Sequence, residues 1–194
     1  MAYVRLSLNL GPHRQLETRD PYCIAAALHG SPRPGRSYRL TPALIYSAHA
    51  LSIPVRLGID HVARSQAFFW SVRHSIASLE CAILLSKWLL SLAEPGNGQN
   101  LSGMNHYIIS HQVVTDVDTE NESRILHWTR CIVQEAYDSM DVEEDEVLPN
   151  FEPASLGLAV IKLWSRLFLK NTQWPFINIL GESLKQYLAM IQSG

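Results

Sequence analysis

Residues 64–88 read RSQAFFWSVRHSIASLECAILLSKW. Phe69, Val72, Ile76, Leu79 and Ile83 recur at steps of three and four. Ala77, Cys81, Leu84 and Trp88 form a neighbouring stripe. Two adjoining stripes make an apolar face wider than a surface helix needs, so the spacing predicts a deeply placed helix. Arg64, Arg73, His74 and Glu80 are expected on its wetter sides. The apolar run 81–93 is interrupted by Lys87. It falls short of the roughly 20 residues that span a bilayer, so no membrane partner is expected. The breaker cluster EPGNG at 94–98 ends the helix.

Outward from this helix, most of the chain reads as helix too. Asp20-Pro21 is a helix start, because Asp caps and Pro suits the first turn. Gly30 stops that helix, and GSPRPGRS at 30–37 reads as a loop. Thr41-Pro42 opens a second helix by the same logic, with Leu44, Ala48 and Leu51 on one face. Pro54 is expected to break or kink it, and Gly58 with Asp60 to mark a turn. From Glu122, the residues Ile125, Trp128, Ile132, Val133, Ala136 and Met140 share a helix face. The acidic stretch 141–150 reads as a loop; Pro153 starts an apolar helix reaching 169, and a last helix runs over 176–192. Residues 103–115 fit helix or strand equally. In the segment 1–20, read as irregular, Leu6, Leu8 and Leu10 alternate like a strand. The expectation is an all-α fold, a single domain over residues 21–194 of five to six packed helices joined as helix hairpins.

Charge is distributed unevenly along the 194 residues, whose formal net charge is -2. Residues 1–87 carry ten basic and four acidic side chains, and the remainder six and fourteen. Such asymmetry suits halves that dock on each other or face different partners. The three cysteines, Cys23, Cys81 and Cys131, are far apart and odd in number, which argues for reduced thiols on apolar helix faces. No C-x-x-C pair exists, so no zinc cluster forms from this chain alone. The eight histidines contain no H-x-x-x-H pair, and no aspartate box, nucleophile elbow or phosphate loop is present. No catalytic residue, metal or cofactor is therefore expected.

Two stretches resemble the regulatory domain of fungal-specific transcription factors. In the first, Ala48, Leu57, Gly58 and His61 are followed by Arg64, Phe69 and Trp70. A rival copy of its first half lies at Ala2-Tyr3-Val4-Arg5 and Leu10-Gly11-Pro12-His13-Arg14, and only one of the two is the family segment. In the second, Phe151-Glu152-Pro153 leads to Leu163-Trp164, Leu167-Phe168-Leu169, Asn171 and Pro175, then a leucine-rich helix. The chain departs from the family pattern at Arg73, Ile76 and Ser86-Lys87-Trp88, and it lacks the six-cysteine zinc cluster. The resemblance implies a non-enzymatic helical regulator in the nucleus, whole or truncated. It would act through a protein partner or a small-molecule effector, without touching nucleic acid directly. The alternative is a small α-helical enzyme or ligand-binding protein. The residues expected to line a pocket, or to be core, are Arg64, Phe69, Trp70, His74 and Trp88.

Overall fold

The computed structural model describes residues 2–35, 37–65, 71–93, 116–140, 149–169 and 174–193. Among them lie eight α-helices: α1 (Ala2–Ser7), α2 (Pro21–His29), α3 (Thr41–Arg56), α4 (Ile59–Ser65), α5 (Val72–Ala93), α6 (Asp116–Ser139), α7 (Pro153–Phe168) and α8 (Pro175–Ser193). Short 3-10 turns occupy Gly11–His13, Leu16–Thr18 and Tyr38–Leu40, and the described residues contain no strand. The fold is all-α, with more helices than periodicity alone separates. The ambiguous stretch 103–115 and the acidic stretch 141–148 lie outside the described residues.

Helix α5 is the axis of the molecule. Every residue in 78–89 is buried, as befits a helix covered on all sides. By length and composition α5 would also cross a membrane, yet 67% of its apolar window is buried inside the fold. Helix α7 packs along it, and α3, α1 and α8 take other sides. Helix α8 closes on α7 and α2, α6 lies on α3 and α7, and α4 lies on α7.

Local chemistry explains some boundaries, though α6 begins at Asp116, six residues before the expected Glu122. The Tyr22 N–H donates to the Asp20 carboxylate at 2.9 Å, the expected cap of α2. At α3 the cap position is Leu40, and Thr41 is already helical with no side-chain cap bond. Pro54 does not break α3, which continues to Arg56. So near the end, proline removes one ladder bond and has few residues after it to misdirect. Gly58, at φ 87°, makes the turn there. Asp60 is not in that turn: it lies in the first turn of α4.

The N-terminal segment also departs from its reading. Residues 2–7 are helical, and the Leu8 N–H donates to the Val4 carbonyl at 2.9 Å. Val4, Leu8 and Leu10 enter the core while Leu6 is 85% exposed, so the strand-like alternation fails.

Two close approaches fix the layers. A Cβ on Gly157 of α7 would stand 3.1 Å from the Ser86 carbonyl oxygen of α5. A Cβ on Gly181 of α8 would stand 3.0 Å from the Leu169 nitrogen, and the Ser165 hydroxyl donates to the Gly181 carbonyl at 2.9 Å. Gly181→Ala is expected to cost about 1–3 kcal/mol by overpacking. A thermal melt reads this, with Gly35→Ala as the neutral control, since its Cβ meets nothing within 4 Å.

Candidate functional site

The residues expected to line a pocket or to be core are dispersed, and of them Trp88 is core. Arg64 lies in α4, where its Nε donates to the Asp60 carbonyl at 3.2 Å. Phe69 and Trp70 lie outside the described residues. His74 is half-buried in the first turn of α5, its backbone N–H donating to the Ser71 hydroxyl at 3.2 Å. Burial holds the His74 imidazole below its ordinary pKa. Trp88 is fully buried. Fourteen residues separate His74 from Trp88 on α5, about 21 Å along the axis, so one small pocket does not hold both. The described residues contain no group of three His, Cys, Asp or Glu able to hold a metal ion.

Buried and half-buried carboxylates are used to join segments. Glu80 is not on a wet side: its side chain is only 3% exposed. Arg5 donates to its Oε2 at 2.9 Å and Arg14 to its Oε1 at 2.6 Å. Two arginines from the N-terminal segment thus clamp one carboxylate of α5. Arg166 of α7 reaches the Asp60 carboxylate of α4 at 2.7–2.8 Å.

Lys87 is buried as well. Its Nζ donates to the His29 carbonyl at 3.3 Å and to the Ser31 carbonyl, satisfying the C-terminal end of α2. Burial, with a smaller contribution from the Arg33 cation, lowers its pKa from 10.5 to about 8. Between those values the unfolded chain holds more protons than the folded one, so this group's contribution to stability rises with pH. Its penalty is full below about pH 8 and is relieved above it. The melting temperature of the wild type relative to Lys87→Met is therefore expected to climb from pH 8 to 10. Taking the difference cancels the buried Cys81 and Tyr187, whose raised pKa values act in the opposite sense in alkali. A flat difference would overturn the assignment.

Only Cys81 among the thiols is a buried core group, with burial pushing it up to about 11. Cys23 is half-buried, with its Sγ 3.2 Å from the Asp20 carboxylate. Cys131 is exposed, 3.7 Å from the His127 Nε2. The expectation of three thiols on apolar faces thus fails for Cys131. The stripe of α6 runs through Ile125, Ile132, Val133 and Ala136, and position 131 faces away from it.

Part of the surface left open to solvent is apolar. On α3, Ile45, Tyr46 and Ile53 are 45%, 41% and 40% exposed, and Leu57 just beyond is 58% exposed. Ile45, His49, Ile53 and Leu57 follow at intervals of four, so they climb one side of the helix. Beside them runs a shallow groove at the α3–α6 seam, lined by Thr41, Ile45, Asn121, Arg124, Ile125 and Trp128. The Trp128 ring lies 6.4 Å from the His49 ring, closing the seam midway. Residue-type periodicity marks α3 as helical but does not show that its second face stays uncovered.

The family model for the fungal transcription factor C-terminal domain matches residues 9–186. The chain belongs to this family. The match runs from before α2 into α8 and leaves out α1, so most of the packed bundle, and no isolated motif, carries the membership. No curated protein and no solved structure matches the chain. The domain therefore has a transcription-regulator-like role, and its interior charges are explained by helix joining.

Proposed function

We propose that this domain is a non-enzymatic regulator of transcription that works in the nucleus by engaging a protein partner. The observation that carries the reading is the outward face of α3, which places Ile45, Tyr46, Ile53 and Leu57 in water. An exposed apolar patch of this kind is often a site of association. Residues 21–194 act as one regulatory unit, with the segment 1–20 strapped to it through Val4, Leu8 and the Glu80 clamp. DNA contact is left to another protein or segment, because this chain has no zinc cluster and no visible recognition helix.

The test is a reporter assay in a fungal cell. The full chain is fused to a DNA-binding module that has no regulatory activity of its own. Reporter output is expected to change relative to the module alone. Unchanged output from a nuclear, well-expressed fusion would sink the regulatory reading.

A further inference from the structure

The regulatory reading leaves the partner's chemistry open, and the α3 ridge narrows it. We propose that the ridge and the adjoining α3–α6 seam form a docking surface for an amphipathic helix flanked by acidic side chains. This rests on the regulatory reading for its biological meaning, but the surface itself is argued from geometry and charge.

The shape fits a single helix. From Ile45 to Leu57 the ridge extends about 18 Å, some three turns. A docked helix offers anchors at the same three- and four-residue steps. The seam beside Ile45, floored by Ile125 and walled by Trp128, takes one such anchor.

The charge fits an acidic partner. Helix α3 contains no Asp or Glu, and its one Lys or Arg is Arg56, exposed at the Leu57 end. Arg124 edges the seam at the other end with its side chain 75% exposed, in a long surface ion pair with Glu120 at 4.0 Å that a partner carboxylate can replace. Directly after the ridge, α4 adds exposed His61 and Arg64, while its one carboxylate, Asp60, is held by Arg166. Cations at both ends of an apolar ridge steer and orient a partner carrying carboxylates beside its apolar stripe.

A second copy of this chain fits less well. The four side chains, each 40–58% exposed, are far fewer than the roughly 20–30 residues a side of a stable interface.

Two labelled peptides test the proposal against the full chain by fluorescence anisotropy. Both are helical, with Leu and Phe at steps of three and four; one carries Glu at its flanks and the other Lys. The Glu peptide is expected to bind, and the Lys peptide about tenfold or more weakly. Ile45→Glu with Ile53→Glu is expected to weaken the Glu peptide about tenfold or more, with an unchanged melting temperature. Arg56→Glu with Arg124→Glu is expected to reverse the peptide preference. Equal binding of the two peptides, no binding of either, or indifference to the isoleucine pair would overturn the surface. Loss of a dimer in the isoleucine variant, seen by light scattering, would overturn it in favour of a second copy. The reporter separates this proposal from the one it rests on. Output that survives Ile45→Glu with Ile53→Glu rejects the surface and keeps the regulatory role. A silent reporter with intact peptide binding rejects the role and keeps the surface.

Discussion

Trp88→Ala is expected to lower stability by about 3–5 kcal/mol, as truncation of a fully buried aromatic side chain does. A domain holds only about 5–15 kcal/mol in all, so the variant sits near the edge of folding. The reason is position. Trp88 has 0% exposure and stands on α5, the helix that α7, α3, α1 and α8 surround. Neighbouring helices meet backbone to side chain here, with Ser86 and Leu89 against Gly157, so they have little freedom to close over a void. The Trp88 indole N–H is buried and finds no acceptor among the described residues. Trp88→Phe, which keeps a ring and drops that donor, is therefore expected to cost far less than alanine. Urea unfolding of the two variants reads the difference; equal losses would show that ring packing is not what matters.

The second large effect is an asymmetry around Glu80. Removing both Arg5 and Arg14 leaves a carboxylate with 3% exposure and no counter-charge among the described residues, at an expected cost of about 3–5 kcal/mol. Removing the carboxylate by Glu80→Gln costs less, because the two arginines are 55% and 28% exposed and turn into water. Adding Glu80→Met to the double arginine variant is expected to recover most of the loss, since an apolar side chain suits the emptied site. If the arginine pair proves harmless, the N-terminal segment is not tied to α5 through charge. The remaining tie would then be the burial of Val4, Leu8 and Leu10.

Much of the fold was legible because it is written in local chemistry. The Asp20-Pro21 and Pro153 starts, the paired stripes of α5 and the leucine spacing of α8 each need only a window of one element. The same window misreads residues whose environment comes from elsewhere. Glu80 looks like a wet-side residue until Arg5 and Arg14, remote in sequence, reach it. Lys87 looks like an interruption in an apolar run until the carbonyls at the end of α2 receive its ammonium. Leu6 and Leu8 look equivalent by alternation, yet the helical turn of α1 separates them. Of the expected pocket, Arg64 is on α4, His74 and Trp88 are at distant levels of α5, and Phe69 and Trp70 lie outside the described residues.

The amino-acid sequence by itself determined that this protein is helical, where α2, α3, α7 and α8 begin, and that no zinc cluster is built from it. Those properties follow from side-chain spacing, caps and residue inventory, all of which act within a few residues. Only the tertiary structure decided which charges are buried and which apolar faces stay wet. Burial is a property of what packs opposite. Helix α5 is covered on every side and α3 on one, although both read as apolar helices. That difference, set by how α6 and α7 lie against them, leaves the ridge from Ile45 to Leu57 open to a partner.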